Sequence, residues 1–187
     1  MNNISFTSAI RPVTARDFAK LTKPINRAHF VDYPWGINSS VVKQDVYTGY
    51  ICNCTACLLT DGQKAMLMHL LPSSSANHNP KRIFNYINNH FYLPNKNLQA
   101  VLTGSKPEKE SEDIFNIFLN ILNKFNIPAT ILKNGRAPTD LAYRTCTDEV
   151  LVTNKYIDLC LTAGRSKQNA LETGFEYIKI APCDEII

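Results

Sequence analysis

The dipeptide Asp61-Gly62 constrains this chain most, because it separates two apolar, β-like runs and predicts that they fold back on each other as a hairpin. Upstream, Val46 to Thr60 is rich in Val, Ile, Tyr, Thr and Cys. Downstream, Lys64 to Leu71 forms the return strand, and Pro72 stops it. A two-residue turn at 61–62 faces Thr60 with Gln63. The same register sets Cys54 opposite His69, Cys52 opposite Leu71 and Cys57 opposite Met66. Directly opposed side chains have Cβ atoms about 4.5–5.5 Å apart, so one of the three cysteines gains an imidazole.

A thiol beside an imidazole makes a nucleophile, since the imidazolium stabilises the thiolate and lowers the cysteine pKa from about 8.5 toward neutrality. The same pair also reads as a buried cysteine beside a strand histidine whose ring is satisfied by backbone. Cys54-Thr55-Ala56-Cys57 matches a C-x-x-C pattern. In a strand, however, those cysteines point to opposite faces with Cα atoms roughly 10 Å apart, beyond the roughly 7 Å that a disulfide spans. A zinc site would need a turn between the ligands and a second ligand pair. The sequence offers neither, so no metal and no cofactor is expected. His29 in an N-terminal arm, His78 in a polar loop and His90 beside two asparagines read as solvated surface, with substrate-loop chemistry as a second reading for His78 alone.

The rest of the chain builds a mixed α+β domain. Thr14 to Asp17 caps a short helix through Leu21, and Pro24, Pro34 and Gly36 then break any regular pattern. Asn79-Pro80 is an N-cap with proline at the first helical position, and Ile83, Ile87 and Phe91 mark one face of the helix that follows. Leu98 to Thr103 is a short strand. From Ser111, the residues Ile114, Ile117, Phe118, Ile121, Leu122 and Phe125 recur at helical spacing and read as core. Ala129 to Lys133, Leu141 to Thr145, Val150 to Thr153 and Tyr156 to Thr162 read as strands, Ser166 to Thr173 as a short helix, and Phe175 to Ala181 as a last strand.

At 187 residues, 44% hydrophobic and 19% charged, the chain suits a single globular domain spanning 1–187. Within it, 1–40 form an arm, 41–153 a core and 154–187 a C-terminal extension packed on that core. The net charge of +4 is scattered, with no basic stripe interleaved with aromatics, so nucleic acid is not an expected partner. No apolar run approaches the roughly 18 residues of a membrane span, and Met1 to Ser5 lacks the blocks of a cleavable signal peptide. These features predict a cytoplasmic, monomeric protein with reduced thiols at Cys52, Cys54, Cys57, Cys146, Cys160 and Cys183.

The segment Thr48-Gly49-Tyr50-Ile51-Cys52-Asn53-Cys54-Thr55-Ala56-Cys57-Leu58-Leu59-Thr60-Asp61, followed by Met68-His69-Leu70-Leu71-Pro72, resembles the CheD family of chemoreceptor glutamine deamidases. That family carries a threonine before its cysteine, an aspartate after it, and a histidine on the returning strand followed closely by proline. Leu102-Thr103-Gly104, Ile127-Pro128 and Gly135-Arg136 fit the family's later order of strand, glycine turn, helix and Gly-Arg loop. The resemblance covers roughly residues 40 to 153 and rests mainly on Thr48, Cys54 and His69. The cytotoxic necrotizing factor and a related lethal toxin share this fold and chemistry.

The resemblance implies a mixed β-sandwich flanked by helices in four layers, α/β/β/α, and hydrolysis of a glutamine side-chain amide on a target protein. It gives Cys54 the role of nucleophile, His69 that of acid and base, and Thr48 that of orienting His69. A backbone N–H near Cys54, with Asn53 or Thr55 in support, would hold the oxyanion. Cys52-Asn53 replaces the family's small pair before the nucleophile, the hairpin is tighter, and both termini are longer. The extensions point to a secreted effector or toxin acting in a host cytosol rather than to a chemotaxis enzyme. Two other readings stay open: a transglutaminase or cysteine protease using the same dyad, and a non-catalytic binding module with a structural or metal-bound cysteine cluster.

Overall fold

The computed structural model describes residues 9–21, 29–31, 35–38, 45–72, 79–104, 108–133, 139–145, 147–153 and 176–179. The strand predicted over 156–162, the helix over 166–173, the loop 73–78 with His78, the Gly135-Arg136 pair, and Cys146, Cys160 and Cys183 lie outside the described residues.

Local signals act as the sequence predicts in the helices. In α1 (Ala15–Leu21), Thr14 Oγ1 accepts from the Asp17 N–H at 3.1 Å and donates to the Asp17 carboxylate at 2.7 Å, closing the N-terminal turn. In α2 (Pro80–Phe91), the Asn79 side chain accepts from the Lys81 N–H at 2.9 Å while Pro80 fills a position whose N–H would have no helical partner. α3 (Lys109–Lys124) turns Ser111, Ile114, Phe115, Phe118, Ile121 and Leu122 inward, the period of one helical face.

The strands are β1 (Ala9–Pro12), β2 (His29–Phe30), β3 (Trp35–Asn38), β4 (Val46–Ile51), β5 (Thr55–Thr60), β6 (Ala65–Leu70), β7 (Gln99–Gly104), β8 (Ala129–Lys133), β9 (Thr139–Arg144), β10 (Glu149–Thr153) and β11 (Glu176–Lys179). They form two mixed sheets, ordered β1-β10-β9-β4-β2 and β11-β3-β6-β5-β7-β8. Pairing is parallel for β1 with β10, β2 with β4 and β7 with β8, and antiparallel elsewhere. The arm thus contributes to both sheets, with β1 and β2 at the edges of one and β3 inside the other.

Alternation along β5 and β6 divides the core in two. Cys57, Leu59, Met66, Met68 and Leu70 face α2 and α3, where Ile83, Ile87, Phe91, Ile114, Phe118 and Leu122 cover them. Truncating one such side chain, Phe118 for example, costs about 3–5 kcal/mol through lost burial and the cavity left behind. Ala56, Leu58, Ala65 and Leu67 face the other way and meet Val46, Ile51, Leu141, Tyr143 and Val150 of the five-stranded sheet. The short α1 lies against β10, with buried Phe18 edge-on to Tyr47 at 6.4 Å between ring centroids. The class is α+β.

Three sequence expectations are corrected. Gly36, expected to break regular structure, lies inside β3 and pairs with Ile178 and Met68. The run Val46 to Thr60 is not one strand. It bends at 52–54, so that β4 pairs with β9 in one sheet and β5 with β6 and β7 in the other. A register irregularity between Thr48 and Ile51 precedes the bend, as where a strand switches sheets at a sandwich corner.

The hairpin turn is also displaced. Its two corner residues are Gly62 and Gln63, because the Asp61 N–H donates to the Lys64 carbonyl at 3.3 Å. Gly62 supplies the positive φ of +82° that a II′ turn requires at its first corner. Asp61 stays on the strand side, its Oδ1 accepting from the N–H groups of Gln63 and Lys64 at 3.1 and 3.0 Å. Ala56, not Cys54, therefore stands opposite His69, and Cys57 stands opposite Met68.

Candidate active site

The displaced register moves the pairing by two residues, and a two-residue slip preserves which face each side chain takes. Cys54 precedes Ala56 by two and joins the cluster between the sheets, the face that Ala56 shares with His69. It is thus a diagonal neighbour of His69, a relation of about 7–8 Å between Cα atoms in a regular pair and within reach of long or aromatic side chains. Cys54 is 6% exposed and His69 3%. Cys54 sits at the bend that carries the chain from one sheet to the other, where backbone geometry is not fixed by ladder pairing.

His69 projects from β6 across the gap between the sheets and meets Thr48 of β4, with Oγ1 and Nδ1 2.6 Å apart. Thr48 Oγ1 also donates to the Val31 carbonyl at 2.6 Å. A hydroxyl has one proton, and a carbonyl can only accept it. Thr48 must therefore accept from His69, which puts the ring proton on Nδ1 and leaves Nε2 as the basic nitrogen of the neutral ring. Val31 is itself fastened to β4, since its N–H donates to the Tyr47 carbonyl at 2.7 Å.

Burial lowers the His69 pKa to about 4, against a smaller upward effect from the Val31 carbonyl. The ring is neutral at pH 7, so this arrangement favours a thiol beside a general base rather than a standing thiolate–imidazolium pair.

The supporting residues divide by face. Asn53 is exposed, and its Oδ1 lies 3.7 Å from Cys54 Sγ as a weak thiol acceptor. Thr55 alternates to the helix-covered side, away from Cys54. Its buried hydroxyl has no hydrogen-bond partner among the described residues. Cys57 also lies on that side, fully buried, and burial pushes its thiol pKa up. Cys52 is half-buried at the bend. The C-x-x-C cysteines thus belong to different layers, and among the described residues no three His, Cys, Asp or Glu side chains come together.

Two residues contribute that the sequence reading did not place at the site. Gly104, at φ +136°, passes so close to the bend that a Cβ there would stand 2.5 Å from the Cys54 carbonyl oxygen and 2.9 Å from Thr55 Cα. Val31 supplies the terminal acceptor of the hydroxyl chain. Gly104 had a weak signal, a glycine closing a strand; a backbone carbonyl in the arm has none. No protein-family model matches the chain, and no curated protein matches it.

Proposed function

We propose that this chain is a cysteine-dependent protein-glutamine deamidase with Cys54 as nucleophile, His69 as general base and acid, and Thr48 as the positioning residue for His69. The observation that carries the reading is the chain Val31 carbonyl, Thr48 hydroxyl, His69 Nδ1, because it fixes the tautomer that a base acting through Nε2 needs. The resemblance to the CheD deamidases rests on the same three side chains, Thr48, Cys54 and His69. Helices on the outer faces of two stacked sheets agree with the four-layer arrangement of that family and of the cytotoxic necrotizing factor.

In the reaction, the Cys54 thiol passes its proton to His69 Nε2 as the sulfur attacks the glutamine carboxamide carbon, and the carbonyl electron pair moves onto oxygen. Backbone N–H at the bend stabilises that oxyanion. Collapse breaks the C–N bond, and His69 returns the proton so that ammonia leaves. Water, deprotonated by His69, then attacks the thioester. Collapse releases glutamate and the Cys54 thiolate, which regains a proton from His69. No cofactor enters this scheme.

The depth of Cys54 favours a side-chain amide as substrate. A carboxamide on a flexible stem reaches a thiol that is 6% exposed, whereas a main-chain peptide bond needs a groove open on both sides. The substrate is therefore a protein bearing a reachable glutamine. The test is peptide-mass mapping of a cell lysate incubated with wild type or Cys54→Ser. Glutamine-to-glutamate conversion with ammonia release is expected from wild type alone, and the loss in Cys54→Ser should reach several orders of magnitude. Peptide-bond cleavage, or conversion by Cys54→Ser at the wild-type rate, sinks the proposal.

A further inference from the structure

Resting on the reading of Cys54 as a nucleophile, we infer that Ser111 is a positioning residue that aims the Cys54 N–H at the oxyanion formed on that cysteine. Ser111 is the third residue of α3 and stands, fully buried, on the helix's otherwise apolar inner face. A hydroxyl in such a place is unfavourable unless bonded. Its Oγ donates to the Asn53 carbonyl at 2.8 Å, across a separation of 58 residues.

That contact sets the peptide between Asn53 and Cys54. A trans peptide is planar, and its C=O and N–H point in opposite directions. With the Asn53 oxygen held toward α3, the Cys54 N–H leaves on the side away from α3. Cys54 Sγ lies on that same side, in the cluster between the sheets that His69 also faces. The next peptide is pinned as well, because the Cys54 carbonyl abuts Gly104 at a spacing that admits no Cβ. When Sγ bonds to a carbonyl carbon, the new oxyanion lies near the attacking residue's own N–H, and a preorganised donor there acts mainly on the transition state.

Two small reagents separate this role from a merely structural one. With p-nitrophenyl acetate, the Cys54 proton passes to His69, the S–C bond forms with an oxyanion at the carbonyl oxygen, and C–O cleavage expels p-nitrophenolate. Iodoacetamide alkylates the sulfur at its methylene carbon, expels iodide and develops no oxyanion. Both rates are read at Cys54 by peptide mass. Ser111→Ala should slow acylation about tenfold or more while leaving alkylation within about twofold. Ser111→Thr, which keeps the hydroxyl, should restore acylation.

Equal slowing of both reactions, or of neither, overturns the inference. If Ser111→Ala does not fold, Ser111→Cys carries the same comparison with a weaker donor of similar size, and the same split is required. A wild-type Cys54 that takes neither reagent refutes the nucleophile itself, an outcome distinct from failure of the Ser111 role.

Discussion

Thr48 Oγ1 and His69 Nδ1 lie 2.6 Å apart across the gap between two sheets, with the Thr48 proton committed to the Val31 carbonyl. Thr48→Val keeps the shape and removes the hydroxyl that accepts from the His69 ring N–H. Stability should fall by about 1–3 kcal/mol. Both Cys54 alkylation and deamidation should slow by about tenfold to a hundredfold, because an unheld ring no longer keeps its tautomer. Thr48→Ser should retain most of both. Undiminished Cys54 reactivity in Thr48→Val would remove the orienting role.

The three described cysteines should separate by environment. Iodoacetamide should label Cys52 at a rate indifferent to His69, since it is half-buried at the bend. Labelling of Cys54 should slow in His69→Ala. Cys57, sealed in the helix-covered core with its thiol pKa raised, should resist labelling until the protein unfolds. Peptide-mass analysis of a time course checks all three, and a Cys54 rate unchanged by His69→Ala would end the dyad hypothesis.

The His69 pKa of about 4 fixes the direction of two pH effects. The folded ring resists a proton that the unfolded ring accepts near 6.5, so its contribution to stability is complete above that value. It is lost as the pH falls from 6.5 toward 4, by about 3 kcal/mol in all. Wild type should therefore lose thermal stability over this window more steeply than His69→Gln. The acid limb of Cys54 reactivity should likewise fall near pH 4 rather than near 6.5. An acid limb at 6.5 would show that the ring titrates as though exposed.

Gly104→Ala should distort the site without touching either reactive group. The added Cβ meets backbone, the Cys54 oxygen and Thr55 Cα, and φ +136° is strained for any L side chain. A destabilisation of about 2 kcal/mol or more is expected, with slowed Cys54 acylation, measured by thermal denaturation and p-nitrophenyl acetate. A variant of wild-type stability and reactivity would show that the bend relaxes freely.

Local chemistry was legible in the sequence alone. Thr14 with Asp17, Asn79 with Pro80, and the apolar stripe from Ile114 to Leu122 each act within a turn or two of chain, so their caps and faces need no distant partner. The hairpin and the common face of Cys54 and His69 were legible too, because face parity survives a two-residue slip. The turn's location was not. It depended on Asp61 binding the N–H groups of Gln63 and Lys64 instead of entering the corner. The bend at 52–54 carries no glycine or proline, and β4 leaves β5 there because its partner β9 lies some ninety residues on, in the other sheet. Tertiary structure alone brought the Val31 carbonyl onto the Thr48 hydroxyl that holds His69 and set Ser111 and Gly104 against the Cys54 backbone. Hydrogen bonds and close backbone approaches act over about 3 Å, and only sheet stacking and helix docking bring residues so far apart in sequence within that distance.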